Sequence, residues 1–276
     1  MKKININFEK LSIHLFLIIG GLIMIFPFIW MFLTSIKTMG EATAIPVVFF
    51  PEKIVWNNYA KVNELLPFFK LYYNTALMIF IRVITTTIFS AMAAYGFARI
   101  DFKFKNILFG LVILQMMVPS QIFIIPQYLI AANLRITNSV LGLALPGVVS
   151  AFGVFLLRQF FMTFPKDIEE AAIIDGANRF QIFYKIFLPL SKPGLSALGI
   201  FTTLFAWKEL MWPFIVNSTA DTLSISAGLA TLNGQYFTNF PVLMAGSVIS
   251  IVPIIILFLI FQKNFIKGIS MTGTKG

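Results

Sequence analysis

Residues 11–36 read LSIHLFLIIGGLIMIFPFIWMFLTSI and contain no Asp, Glu, Lys or Arg. A helix needs roughly 20 mainly apolar residues, at 1.5 Å each, to cross a hydrocarbon core about 30 Å thick. The preceding segment, MKKININFEK, is basic, and a basic segment before an apolar run is also the order found in a secretory signal peptide. The run is too long for that and ends without a small-residue cleavage site. We therefore interpret residues 11–36 as a first span that stays in the protein.

The whole chain has the same apolar character. Of its 276 residues, 58% are hydrophobic and 12% are charged, and the mean hydropathy is +0.88. This is too apolar for a soluble globular domain of ordinary composition. We predict an all-α integral membrane fold, with one transmembrane domain over residues 1–276 and six transmembrane helices. The predicted spans are at about 11–36, 72–98, 106–125, 140–161, 193–216 and 241–262.

The loops between these spans differ in basic charge. One side carries most of the Lys and Arg residues, and the other holds only Lys37, Lys53, Lys61, Lys70 and Arg135. Because cytoplasmic loops carry the excess of Lys and Arg, we predict that both termini are cytoplasmic. On the outward side, residues 37–70 are predicted to form short interfacial helices. After the third span, Pro119 and Pro126 interrupt an apolar stretch, part of which is expected to re-enter the membrane or lie at its surface.

Composition and spacing argue against several other functions. The chain has no cysteine, so disulfides and thiolate chemistry are excluded. The net charge of +10 is dispersed between apolar stretches, which does not favour nucleic acid binding. His14 is a lone histidine, and the acids at 167, 169 and 170 have no His or Cys at ligand spacing, so no metal site is predicted. No nucleophile or acid–base pair is apparent, and we do not predict an enzyme.

The segment 164–193 is polar, has a helical pattern and is too long for a simple connector. Asp167 is predicted to cap a first helix, with Glu170 at capping-box spacing. Gly176 is expected to end that helix, because glycine tolerates the left-handed conformation. Asn178 is predicted to cap a second helix, with Gln181 at its third position. Aromatic residues are expected along one side of this second helix, and two prolines are expected to end it. These are Phe180, Phe183, Tyr184 and Phe187, and Pro189 and Pro193.

Two interpretations of this helical hairpin are open from the residues alone. Its small alanines and adjacent aromatic row are typical of an element that docks into the groove of a partner. Alternatively, it is an amphipathic hairpin whose aromatic face packs on its own membrane domain. The pattern does not choose between them.

A resemblance favours docking. The EAA loop of binding-protein-dependent ABC importers resembles two strings in this segment, EAAIIDGA at 170–177 and IFLP at 186–189. Nine residues, with Ala177 counted first, precede the second string. Further likeness to the carbohydrate branch, the MalG-like permeases of the maltose type, lies in NT at 74–75, AYGFAR at 94–99, FIKG at 265–268 and the terminal KG. The resemblance thus extends over most of the chain.

The resemblance implies a multi-pass permease subunit of a bacterial cytoplasmic membrane. Its first loop helix would seat in a cleft of a separate ATPase, which binds ATP and Mg, while this chain binds no cofactor. The expected partners are two ATPase subunits, a second homologous permease in a heterodimer, an extracytoplasmic substrate-binding protein and the lipid bilayer. The implied coupling residues are Glu169, Glu170, Ala171, Ala172, Asp175, Gly176 and Ala177, with Glu170 offering charge to a basic partner.

Charged residues inside predicted spans are candidates for a translocation pathway. Arg82, Lys208 and Glu209 each cost roughly 2.5–3.5 kcal/mol in lipid, so they should face a cavity or one another. Arg82 could bind a polar or acidic substrate, pair with Glu209 or extend toward the interface. Lys208 and Glu209 could equally form a local pair or contact a partner permease. Trp207, beside them, could stack on a sugar ring or simply pack between helices.

The cargo is left open by the sequence. A sugar or oligosaccharide is the expected cargo, and polyols, glycerol phosphates or acidic oligosaccharides are alternatives for which Arg82 is a mild indication. A third hypothesis, motivated by the same intramembrane charges, is a secondary transporter driven by an ion gradient.

Overall fold

The computed structural model describes residues 8–234 and 238–273. Within this part of the chain the regular structure is entirely helical. The α-helices are α1 Phe8–Ser35, α2 Met39–Ala42, α3 Asn57–Leu65, α4 Phe68–Arg99, α5 Lys105–Met117, α6 Ile124–Asn133, α7 Val140–Ala144, α8 Ala151–Met162, α9 Asp167–Ile174, α10 Arg179–Ile182, α11 Leu188–Leu190, α12 Lys192–Lys208, α13 Met211–Val216, α14 Ile225–Thr231 and α15 Phe240–Gly273. Short 3₁₀ turns occupy Ser120–Phe123, Leu145–Gly147 and Ala220–Thr222, and a π-helix occupies Phe183–Phe187.

Three of the described helices are long and apolar enough to cross a membrane, namely α1, α4 and α15. The number rises to 5 if each of two bent helix pairs is one span. The prediction of six spans in one domain stays a prediction. Lys2, Lys3 and Lys275, which the topology prediction counts on the cytoplasmic side, lie outside the described part of the chain.

Three predicted spans are interrupted rather than continuous. After α5 the chain turns by 100° into the 3₁₀ turn and α6, because Val118 precedes Pro119 and is extended. The fourth span bends by 47° between the turn after α7 and α8. The fifth segment is α12 followed by α13, with an extended Glu209 between them. The ring of Pro213 would clash with the Glu209 carbonyl in a continuous helix.

The described residues group into two units. One comprises residues 8–66 and 231–254, without 235–237. In it, the short helices α2 and α3 lie within the segment 37–70, where short helices were predicted; their interfacial location stays a prediction. The amide of Asn58 on α3 donates to the carbonyls of Ser35 and Lys37, each at 2.9 Å, and so fixes α3 to the end of α1.

The second unit comprises residues 67–230 and 255–273 and contains the candidate sites. Helix α4 is its centre and packs against α8 and α12. Small buried residues on α4, such as Ser90, Ala91 and Ala94, let the neighbouring helices approach closely, which is the usual way that membrane helices pack. This helix therefore contacts the loop 164–193 near one end and carries the candidate pathway residue Arg82 farther along its length.

Candidate functional site

The loop 164–193 contains the predicted first helix, but its start differs from the prediction. Helix α9 begins at Asp167, and Lys166 occupies the N-cap position without a side-chain hydrogen bond. The predicted capping box of Asp167 and Glu170 is therefore wrong. Asp167 and Glu170 lie inside the first turn, where carboxylates favour the positive end of the helix dipole without capping it.

The end of α9 is a Schellman motif. Gly176 adopts φ +79° and donates its N–H to the Ile173 carbonyl at 3.0 Å, and Ala177 donates to Ala172 at 2.9 Å. These are the two reversed hydrogen bonds that close such a helix end. No other residue lies within 4 Å of where a Gly176 side chain would begin, so backbone conformation is what requires glycine here.

The second helix begins as predicted but continues differently. Asn178 and Gln181 form a reciprocal capping box. The helix then widens into the π-helix 183–187 and runs past Pro189 to Leu190, so Pro189 does not end it. A π-turn shifts the hydrogen-bond ladder by one residue, which makes room for a proline within the helical course. Pro193 lies in the first turn of α12 instead of terminating its predecessor.

The aromatic row divides between the protein's own core and its surface. Phe183 and Phe187 are buried, whereas Phe180 and Tyr184 are exposed. Each of the two buried rings lies close to the ring of Tyr95 on α4, with centroids 5.2 and 5.1 Å away. The hairpin thus packs the buried half of its aromatic row on its own unit, which agrees with one of the two interpretations. One side of α9 remains exposed on the protein surface.

The implied coupling residues do not share one environment. Glu169 is only 7% exposed and forms an ion pair with Arg179, and Ala172 is buried beside it. The other coupling residues are exposed or, for Ala177, half-buried: Glu170, Ala171, Asp175, Gly176 and Ala177. Ile174, which the sequence analysis did not single out, is 85% exposed and extends this face. Glu169 and Ala172 therefore hold α9 on the protein, and the remaining residues form the surface that we call the α9 face.

Arg99 is a further functional candidate that the sequence analysis did not identify. It ends α4, and its guanidinium donates to the carbonyls of Phe161 and Phe164, both at 2.6 Å. It also lies 4.9 Å from the ring centroid of Phe187 in the loop. Arg99 appeared in the sequence only as part of the string AYGFAR. Its contacts join the end of α8, the loop and α4.

The candidate pathway residues separate into a pair and two others. Arg82 donates to Glu209 at 2.5 Å and, through its second terminal nitrogen, to the Leu143 carbonyl at 2.5 Å. Lys208 is exposed, with its ammonium 5.2 Å from the Phe205 ring. Trp207 accepts a hydrogen bond at its carbonyl from Ser226. Of the possibilities left open for Arg82, pairing with Glu209 is the one observed, and Lys208 and Glu209 do not pair with each other.

Close packing surrounds the buried arginine. Arg82 is 5% exposed, and a Cβ on Gly147 would collide with its side chain, so this glycine gives the arginine its space. Thr86, one turn along α4, donates to the Gly147 carbonyl. The pair also borders a cavity of about 410 Å³. Neither Trp207 nor Lys208 lines it.

Comparison with known proteins gives a consistent result. Residues 86–271 match the family described as binding-protein-dependent transport system inner membrane component. The arabinooligosaccharides transport system permease protein AraQ of Bacillus subtilis (strain 168) is 34% identical over 97% of this chain and 96% of its own length. The sn-glycerol-3-phosphate transport system permease protein UgpE of Yersinia enterocolitica is 31% identical over 93% and 94%. The sulfoquinovosyl glycerol transport system permease protein SmoH of Agrobacterium fabrum is 32% identical over 94% and 91%.

A solved structure shares the fold. A bacterial ABC transporter involved in the import of the acidic polysaccharide alginate aligns with a TM-score of 0.76 at 24% identity, over 96% of this chain and 99% of that one. The family match removes the support for an ion-gradient transporter. The chain belongs to the binding-protein-dependent transport system inner membrane components and is a membrane-embedded permease subunit of an ABC importer.

Proposed function

We propose that this permease imports a sugar or oligosaccharide and is driven by a separate ATPase that binds the α9 face. The observation that carries this proposal is that one side of α9 is exposed on the protein surface, in a loop that packs against α4. The exposed surface combines a carboxylate, Glu170, with the apolar Ile174 and the tightly turned Gly176. Such a surface suits a cleft that offers both apolar area and a basic residue.

Force applied to this surface can reach the membrane interior through one rigid element. Tyr95 and Arg99 hold the loop on α4, and Arg82 lies on the same helix. At 1.5 Å per residue, the distance along the helix from Arg99 to Arg82 is about 25 Å. A change in the position of α9 would therefore move the helix that carries the buried ion pair, which is a physical route to alternating access.

The proposal includes the other subunits of the importer. Two ATPase subunits would bind ATP and Mg, a second homologous permease would complete the pathway, and an extracytoplasmic protein would deliver the cargo. The excess of Lys and Arg supports a cytoplasmic location for α9 and for both termini. The assignment of a saccharide cargo draws on AraQ, and UgpE keeps a glycerol phosphate as the alternative.

Two substitutions on the α9 face test this proposal. In the complete importer we expect Ile174→Asp to reduce the ATPase that co-purifies with the permease at least tenfold, because it places a charge in an apolar contact. We expect Gly176→Val to act similarly, since a β-branched residue at φ +79° costs about 1–2 kcal/mol and opens the helix end. ATP-dependent uptake in proteoliposomes should fall in parallel.

The matched control is Ile54→Asp, because Ile54 is an exposed apolar residue on the segment predicted to face outward. It should leave ATPase co-purification at the wild-type level. Normal ATPase binding and uptake in both α9 variants would contradict the proposed coupling role.

A further inference from the structure

Three interruptions of the helical backbone meet at one cavity. Its lining includes Val118 and Ser120 from the bend between α5 and α6, Pro146 and Gly147 from the turn before α8, and Glu209 and Leu210 from the break between α12 and α13. The cavity measures about 410 Å³, which lies in the roughly 300–1,000 Å³ range of small-molecule sites.

Broken helices carry a physical requirement in a membrane. Backbone amides and carbonyls released from the helical ladder are tolerated at membrane depth only where protein buries them or where they line a polar cavity. Discontinuous helices also surround the binding sites of many transporters for this reason. The convergence of three breaks on one space indicates a polar cavity that the fold maintains.

The charge of the cavity wall is balanced. Arg82 and Glu209 are the charged residues of the described lining, and they pair at 2.5 Å. Arg82 is also bound to the Leu143 carbonyl. An anionic solute would gain no uncompensated positive charge here and would have to compete with Glu209 for the guanidinium, leaving the Glu209 carboxylate, 28% exposed, without its partner.

The remaining polar lining is neutral and available. Gln115, Ser120, Gln121 and Gln127 line the cavity, and their side chains make no hydrogen bond with another described residue. The buried Nε of Arg82 likewise has no hydrogen-bond partner in the described part of the chain. Amides and a hydroxyl can both donate and accept, which matches the hydroxyl groups of a saccharide. The half-buried ring of Phe123 adds aromatic surface for its apolar face.

We propose that this cavity is a binding site for a neutral saccharide unit and discriminates against anionic solutes. The inference rests on the proposed function as an importer and restricts the cargo to neutral saccharides. The Arg82–Glu209 pair lines the cavity without offering a free positive charge to an anion. The glutamines and Ser120 recognise hydroxyl groups.

The test uses the assembled importer in nanodiscs without its binding protein, with isothermal titration calorimetry as the readout. Arabinotriose and maltotriose are the neutral probes, and sn-glycerol-3-phosphate and a mannuronate disaccharide are the anionic probes. We expect at least one neutral probe to bind the wild-type complex and the anionic probes to bind at least tenfold more weakly. The double variant Gln121→Leu/Gln127→Leu should weaken neutral binding at least tenfold, because it removes two hydrogen-bonding side chains and leaves the ion pair intact.

Charge variants test the balanced wall. Glu209→Gln exposes the charge of Arg82, and we expect anionic binding to increase at least tenfold. The double variant Arg82→Gln/Glu209→Gln restores neutrality and should again exclude anions. If Glu209→Gln fails to fold, the double variant Gln121→Leu/Gln127→Leu, which keeps the ion pair, still tests the site. Asp221→Asn is the matched control, because it removes the acid of an exposed ion pair with Lys70 outside the cavity and should change neither affinity.

The inference is overturned if no neutral probe binds, if anionic probes bind the wild type as tightly as neutral ones, or if the glutamine double variant binds normally. ATP-dependent uptake by the same preparations separates this failure from failure of the proposed function. Normal uptake with unaffected binding in the cavity variants rejects the site alone. A wild-type permease that does not associate with an ATPase, or does not take up any saccharide, rejects the proposed function.

Discussion

Arg99 joins three elements through a single side chain. Its guanidinium donates to one carbonyl in the last turn of α8, that of Phe161, and to one just beyond it, that of Phe164, and it covers the Phe187 ring of the loop. Carbonyls at a helix C-terminus lack intrahelical partners, so a cation there satisfies groups that would otherwise need water. One terminal nitrogen of the guanidinium makes both hydrogen bonds, while the planar group lies against the aromatic ring.

We therefore expect Arg99→Met to lower the stability of the permease by about 1.5–3 kcal/mol, the usual contribution of a hydrogen bond to a charged group. Thermal unfolding in detergent measures this loss. Arg158→Met is the comparison, because the Nε of Arg158 makes a longer bond, 3.3 Å, to the Phe97 carbonyl, and its loss should be smaller. An unchanged melting temperature in Arg99→Met would show that the bridge adds little to stability.

Helix α2 has a pH-sensitive start. Glu41 completes a capping box with Thr38, and its carboxylate accepts hydrogen bonds from the Thr38 N–H and hydroxyl and from the Glu52 N–H, each at 2.8 Å. These bonds favour the charged form and hold the pKa of Glu41 below its ordinary value of 4.5. A depressed carboxyl pKa stabilises the fold above the ordinary pKa, and the contribution is lost as the pH falls through the lower, folded value.

Segment 38–53 should therefore loosen when the pH falls below about 4.5. Amide hydrogen exchange of this segment from pH 3 to 7, corrected for the intrinsic exchange rate, measures the change. Glu41→Gln should remove most of the pH dependence. Glu64→Gln is a control, because the Glu64 side chain makes no hydrogen bond with another described residue. A pH response that persists in Glu41→Gln would assign it to another group.

The predicted topology places the long segment 37–70 and the α9 loop on opposite sides of the membrane. Because the chain contains no cysteine, each single-cysteine variant gives one unique label. In right-side-out vesicles, Ile54→Cys should react with a membrane-impermeant thiol reagent, whereas Ile174→Cys should react only after permeabilisation. Both side chains are exposed in this chain, and vesicles that contain the permease without its ATPase keep Ile174→Cys uncovered, so neither reaction is limited by access. Labelling of both from the same side would overturn the topology.

Local sequence determined the membrane class and much of the loop. Apolar length decides whether a segment can enter lipid, and a cap such as Asn178 or a helix end such as Gly176 depends on neighbours within a few residues. These features were therefore predictable. Two other local features were predicted wrongly. Lys166, not Asp167, occupies the N-cap position of α9, and a π-helix lets the second helix continue past Pro189.

Only the tertiary structure decided which polar groups meet. Arg82 and Glu209 are far apart in sequence, and the sequence left their pairing as one possibility among several until α4 packed beside α12. Glu169 and Glu170 are adjacent, yet one is buried against Arg179 and the other faces outward, because the packing side of α9 is fixed by the aromatic core beneath it. Hydropathy and caps are properties of a short stretch of chain, whereas ion pairs, burial and a cavity built from three helix breaks depend on how distant elements pack.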